Sequence, residues 1–212
     1  MTHTRTIELD GLHFVWDERV LEPRPWAVEQ ARWAAQILPD LPDGPLLELC
    51  TGSGYIGLLA AAGTDRRAVL VDADEAACAL ATRNAEAAGL AHRVQVQRER
   101  ITGAALEGEH APFALVLADP PYLPSSEVER YPGDPEHAID GGPDGLALVR
   151  DVLGTSAAAL HPAGACLLQL RGARQADQVA RALETAWRDI ALEPAELREF
   201  GPDRAVLRLD PR

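Results

Sequence analysis

From residue 46 onward, short apolar runs alternate with longer segments whose apolar positions recur three and four apart. That is the pattern of parallel strands joined by crossover helices. The runs Leu46 to Cys50, Ala68 to Val71, Val94 to Gln97, Phe113 to Ala118 and Ala165 to Leu170 are predicted as strands. Helices are predicted over Tyr55 to Ala62, Glu75 to Ala88, Leu146 to Leu160 and Gln175 to Ile190, with Gly89 stopping the second and His161-Pro-Ala-Gly164 closing the third. Arg204 to Leu209 alternates as an antiparallel edge strand does. Upstream, Thr6 to Trp16 reads as a hairpin around Asp10-Gly11, and Val20 to Pro25 is too proline-rich for regular structure. Trp26 to Leu38 has helical spacing behind Pro25, which suits a first helical turn. The expected fold is α/β and Rossmann-like, a doubly wound, mostly parallel sheet with an antiparallel C-terminal edge strand. We expect one domain over residues 1–212, with an N-terminal arm and helix over 1–40 and a catalytic core over 41–212.

In such a sheet ligands lie over the carboxyl ends of the strands. Cys50-Thr-Gly-Ser-Gly54 follows the first strand there, and Gly52 and Gly54 let main chain approach a ligand closely. Asp72 ends the second strand, placed either to accept from both hydroxyls of a ribose or to cap the helix beginning at Glu75. The frame Gly52-Ser-Gly54-Tyr-Ile-Gly57 also fits a dinucleotide loop. Glu48 argues against that: a carboxylate beside the loop suits the sulfonium and ammonium of S-adenosyl-methionine and repels a pyrophosphate.

Asp119-Pro-Pro-Tyr122 leaves the fourth strand at the same edge. An amide or exocyclic amino nitrogen is a poor nucleophile because its lone pair is delocalised. Asp119 and the Pro120 carbonyl can each accept one N–H, aim the lone pair at a methyl donor, and bind the nitrogen more strongly as it becomes positive. Pro120 and Pro121 stiffen the loop and remove competing donors, and Tyr122 offers a flat face to a planar acceptor.

Charge changes the choice of acceptor. The 212 residues carry a formal net charge of −13, with a pI near 4.8, which disfavours a long phosphate backbone. A protein acceptor is therefore expected ahead of an adenine or guanine amino group in RNA or DNA, with a small molecule as a third class. No membrane span or secretory signal is legible, and Cys50, Cys78 and Cys166 follow no metal-ligand or disulfide spacing. A cytoplasmic location with reduced thiols is expected, and no metal.

Together these residues resemble the amino-methylating class I methyltransferases, and more closely the HemK-like family of protein-glutamine methyltransferases that modify translation release factors. Leu47-Glu-Leu-Cys-Thr-Gly-Ser-Gly54 looks like its glycine loop, and Val20 to Pro25 like its Pro-Arg segment. Arg83-Asn-Ala85, the loop Ala138-Ile-Asp-Gly-Gly-Pro-Asp-Gly-Leu146 and Asp203-Arg-Ala-Val206 also match its pattern. The resemblance implies that S-adenosyl-methionine is held by Glu48, Cys50, Thr51, Gly52, Ser53, Gly54, Asp72, Ala73, Ile101 and Asp119, with catalysis by Asp119, Pro120, Pro121 and Tyr122. It implies a release-factor glutamine as acceptor. Asp119 stands where the glutamine methyltransferases carry Asn, and Asp is more typical of relatives acting on nucleobase amino groups. Cys50 replaces the first glycine of the loop, and Arg100 precedes Ile101 where an acid precedes an aromatic. The helical substrate-recruiting domain that precedes the bacterial enzymes finds no counterpart in this sequence, so the resemblance leaves recruitment to the N-terminal segment or a partner subunit.

Overall fold

A computed structural model describes residues 3–106 and 112–212. Seven strands form one sheet: β3 (Leu46–Leu49), β4 (Ala68–Asp72), β5 (Val94–Arg98), β6 (Phe113–Ala118), β7 (Leu160–Leu170), β8 (Leu192–Glu199) and β9 (Ala205–Pro211). Their order is β5-β4-β3-β6-β7-β9-β8. The first five are mutually parallel, and β9 runs antiparallel to both β7 and β8. Alternation splits the core cleanly. Leu46, Leu70, Leu115 and Leu117 face α1 (Val28–Ile37), α2 (Tyr55–Ala62) and α3 (Glu75–Ala87), while Leu47, Leu49, Val71 and Val116 face the two helices that follow the short α4 (Glu136–Ile139), namely α5 (Val149–Ala159) and α6 (Gly172–Glu184). A sheet buried on both faces by crossover helices is the expected doubly wound architecture.

Ahead of the sheet, β1 (Arg5–Leu9) and β2 (Leu12–Trp16) form the predicted hairpin. Asp10 and Gly11, at φ 46° and 81°, supply the two left-handed residues that a two-residue turn requires. Trp16 and Val20 pack on Ala77 and Leu80 of α3.

The elements differ from expectation at four places. Helix α5 starts at Val149, because the amides of Leu146 and Ala147 bond to Asp144 and the Gly141 carbonyl instead of opening a helix. Strand β7 begins at Leu160, so His161 to Gly164 are extended rather than a closing turn. Helix α6 runs from Gly172 to Glu184, after which a turn carries the chain to Ile190, with Arg212 donating to the carbonyls of Leu183 and Ile190. The edge of the sheet is β8, whose Leu-Glu-Pro-Ala-Glu-Leu-Arg-Glu is too charged to stand out as a strand. Charge and proline on an edge guard it against pairing with another chain.

Asn84 of α3, fully buried, joins three parts of this framework. Its side-chain nitrogen donates to the carbonyls of Val15 (2.9 Å) and Ser53 (2.8 Å), and its oxygen accepts from the Val15 amide (2.8 Å). Removing it strands buried main-chain groups in both the hairpin and the glycine loop, at about 1–3 kcal/mol for each group left unsatisfied. Asn84→Ala is expected to lower stability by about 2–3 kcal/mol and to open residues 5–16 to proteolysis. Denaturant melts with limited proteolysis check this; an unchanged cleavage pattern would show that the hairpin is held by its apolar contacts alone.

Candidate active site

Two backbone ladders fix the site. Leu49 pairs with Ala118, so the loop after β3 and the tetrapeptide after β6 leave the sheet side by side. Leu49 also pairs with Val71, and the Thr51 amide donates to the Val71 carbonyl (3.1 Å), which brings Asp72 against the loop. The loop itself runs left-handed at Cys50 (φ 61°), Gly52 (54°) and Gly54 (83°). Cys50 carries a Cβ in a conformation that costs a non-glycine residue roughly 1–2 kcal/mol. Gly54 packs flat on Ala81, where an added Cβ would lie 3.1 Å from the Ala81 methyl.

The side chains divide into those facing a cavity of about 450 Å³ and those behind it. Cys50, Thr51, Gly52, Ser53, Asp72, Ala73, Ile101 and Asp119 all line that cavity, with Arg100 at its rim beside Ile101. Glu48 and Gly54 do not. Glu48 is buried beneath the loop, accepts from the Thr51 hydroxyl and the Gly57 amide, and lies so close to α2 that a Cβ at Gly57 would strike its carboxyl. Asp72 accepts from the Gly52 amide (2.8 Å) on one oxygen and from the Asp74 amide (3.0 Å) on the other. The helix-capping role falls to Asp74, whose side chain accepts from Ala76 and Ala77 at 2.7 and 2.9 Å.

Asp119 lies on the wall shared with a second cavity of about 270 Å³, which Pro120, Pro121 and Tyr122 also line. The tetrapeptide is clamped from outside by the Gly141-Gly-Pro-Asp-Gly145 loop. A Cβ on Gly141 would lie 2.8 Å from the Pro121 carbonyl oxygen, and one on Gly145 would fall on that of Tyr122, so these glycines permit main chain to pack on main chain. The Leu123 amide donates to the Ile139 carbonyl (3.0 Å), and the Gly141 amide to that of Leu123 (2.8 Å). Gln175 of α6 closes the clamp, donating to the carbonyls of Tyr122 (3.0 Å) and Gly145 (3.2 Å) while accepting from the Arg171 amide. On the other side Gln30 of α1 donates to the Ala118 carbonyl (3.1 Å), the last of β6.

Three carboxyls thus converge on the loop, and burial raises the pKa of each: Glu48 to about 8, Asp119 to about 7, and Asp72 upward. Among the described residues nothing donates a hydrogen bond to Asp119, and the Ser53 hydroxyl, buried in the same loop, has no partner. Such an arrangement suits a ligand that brings positive charge and hydroxyl donors, and it opposes a pyrophosphate.

A family model described as conserved hypothetical protein 95 matches residues 27–131. The chain is 33% identical over 188 residues to the release factor glutamine methyltransferase of Deinococcus radiodurans, an alignment covering 86% of this chain and 65% of that protein. Over most of its own length the chain is therefore similar to a protein glutamine methyltransferase. A second relative, the ribosomal protein uL3 glutamine methyltransferase of Bradyrhizobium diazoefficiens, is 32% identical over 197 residues, covering 86% of this chain and 61% of its own. The chain spans less than two thirds of the length of these relatives. Its fold is that of class I methyltransferases: the hMettl16 catalytic domain, solved with an RNA hairpin, superposes with a TM-score of 0.71 at 14% identity over 94% of this chain and 76% of its own.

At this site, sequence reasoning passed over Gln30 and Gln175. Gln30 sits in the apolar stripe of α1, fully buried, and a lone polar residue at a core-facing position is the signal that marks it.

The pH dependence of stability follows from Glu48. Its ordinary pKa of 4.5 is raised to about 8 in the folded chain. The folded state therefore holds a proton that the unfolded state releases, and the stability this gives is complete below about pH 4.5 and is lost as pH rises towards 8. Between pH 5 and 8.5 the unfolding midpoint of the natural protein is expected to fall at least about 4 °C more than that of Glu48→Gln, which keeps an oxygen for Thr51 and Gly57. Parallel falls in differential scanning fluorimetry would show that Glu48 is already ionised in the folded chain.

Proposed function

We propose that the chain is an S-adenosyl-methionine-dependent N-methyltransferase whose acceptor is the side-chain amide nitrogen of a protein glutamine, in a release factor or a ribosomal protein. The observation that carries this reading is the position of Asp119, an unbonded carboxyl on the wall between two cavities. One cavity has the chemistry for the cofactor, the other an aromatic and proline lining for a flat acceptor.

S-adenosyl-methionine supplies an electrophilic methyl on a sulfonium when bound. Asp72, each oxygen already accepting one main-chain amide, keeps acceptor capacity for ribose hydroxyls. Ile101 covers the adenine side, and Gly52 brings its main chain to the ligand. Glu48 acts from beneath the loop by holding Thr51 in place. Asp119 and the Pro120 carbonyl take the two N–H groups of the amide and leave its lone pair directed at the methyl. The methylated nitrogen must shed one proton, and a carboxyl with a pKa near 7 is matched to receive it. The clamp of Gly141, Gly145 and Gln175 keeps the tetrapeptide from moving while this happens, which preserves the alignment on which the rate depends. The described helices include none long and apolar enough to cross a membrane, and we place the protein in the cytoplasm with its protein acceptor.

Asp119 itself favours a second reading, methylation of an adenine or guanine amino group, because a carboxylate only accepts whereas an Asn carboxamide also donates to an amide oxygen. Mass spectrometry of tryptic peptides and of digested ribosomal RNA from a deletion strain separates the two: loss of a methylglutamine peptide is expected, and a missing modified nucleoside instead would overturn the glutamine reading. In the purified protein, Asp119→Ala should reduce transfer by about 10³-fold or more with cofactor affinity held within about tenfold. Asp72→Ala should weaken the cofactor and leave the rate at saturation largely intact. Equal effects of both on cofactor binding would mean these two roles are wrongly assigned.

A further inference from the structure

Three guanidiniums, from Arg24, Arg171 and Arg204, line the second cavity, in a protein whose net charge is −13. Two of them are committed. Arg24 grips both oxygens of Asp134 at 2.6 Å, and Arg171 pairs with Glu127 at 2.8 Å. Arg204 is different: among the described residues it makes no side-chain hydrogen bond or ion pair, and it lies over the Trp26 ring at 3.8 Å from the centroid. Its main chain is fixed, since the adjacent Ala205 opens β9 in register with Leu170 of β7 and the Arg204 carbonyl accepts from the Phe200 amide (2.9 Å). Together with Arg24 its charge reaches the phenol of Tyr122, opposing the upward shift that burial causes.

A guanidinium held flat on an indole keeps its N–H edge free and loses little freedom on binding a ligand. The field around it decides which ligand. Asp203, next in the chain, lines the same cavity, Asp119 stands on its inner wall, and the other two arginines are neutralised. An anion gains little there, whereas a neutral dipole with a lone pair gains a charge-assisted hydrogen bond. A glutamine side chain entering past Tyr122 brings its own main chain to the mouth of this cavity. We infer that Arg204, braced on Trp26, positions the acceptor segment by donating to main-chain carbonyl oxygens of the polypeptide beside the glutamine. This rests on the glutamine reading above and adds a specificity-determining residue to it.

The test uses the full chain, S-adenosyl-methionine, and unmethylated release factor and uL3 from a deletion strain. Arg204→Gln is expected to raise the KM for the methylated protein at least about tenfold, with kcat within about threefold and the calorimetric Kd for S-adenosyl-methionine within twofold. Arg204→Lys should show the same loss, because it keeps the charge but not the planar fork and stack, and it stands in if the glutamine variant melts early. The natural protein's KM should change less than about threefold between 50 and 200 mM salt, because the contact is to a neutral group. An unchanged KM in both variants, or an equal loss of cofactor affinity, would overturn the role of Arg204 and leave the glutamine reading standing. A steep salt dependence would also overturn it, by pointing to a phosphate or carboxylate. Transfer by the natural protein to RNA and to neither protein would overturn both.

Discussion

Everything at the carboxyl edge of this sheet hangs on the pairing of β3 with β6. Because Leu49 and Ala118 are partners in a parallel ladder, the chain leaves both strands at the same height, and two loops from distant parts of the sequence emerge as neighbours. Parallel ladders are slanted and evenly spaced, so the register that puts core leucines on the correct faces also fixes which residues stand at the strand ends. A slip of one residue would bury Asp119 in the core or turn it away from Cys50. The hydrophobic pattern that specifies the fold therefore also specifies the distance between the two halves of the site.

Holding those loops costs conformational freedom and charge solvation, and the surrounding structure offsets both. Cys50 sits in the left-handed region, and Asp119, Asp72 and Glu48 are all desolvated enough to resist ionisation. Around them, side-chain amides do the fastening. Asn84 ties the glycine loop to the hairpin, Gln30 ties the end of β6 to α1, and Gln175 ties the tetrapeptide to α6. Each is a neutral group that satisfies main-chain atoms without adding another charge to a crowded acidic centre. The glycines at 141 and 145 serve the same end, since only a residue without a Cβ lets one loop lie on the main chain of the other.

The sequence made legible whatever repeats with a period or leaves a local chemical mark. The buried strands β3, β4 and β6 were read to within a residue because apolar runs bounded by turn residues have few alternatives. The hairpin was legible through Asp10-Gly11, which demands positive φ. Strand β8 was not, because an edge strand is selected for charge and its proline breaks the pattern. The start of α5 was misplaced because Leu146 and Ala147 look helical in composition while their amides are spent on a loop. For the site, the cavity-facing residues of the glycine loop and the tetrapeptide were visible as motifs. Glu48 was visible as an anomaly, an acid in an apolar strand, but its direction was not: only packing shows that it supports Thr51 from below. Of the amide fasteners, Gln30 leaves a mark as a lone polar residue in the apolar stripe of α1 and Asn84 lies in a motif, but the main-chain groups they bond are legible only from packing.

Glu48 also shows why an acid in a core-facing strand is informative even when it never touches a ligand. Placed on the same face as Leu46, it meets α2 at the position where Gly57 lacks a side chain, and it takes the Thr51 hydroxyl that would otherwise be another buried orphan beside Ser53. An apolar residue there would leave both the Gly57 amide and the Thr51 hydroxyl unsatisfied, at a cost of about 1–3 kcal/mol each. A neutral acid satisfies them without placing a charge in the core. The carboxyl is the acceptor for two buried donors, the Thr51 hydroxyl and the Gly57 amide, that packing alone would leave unpaired.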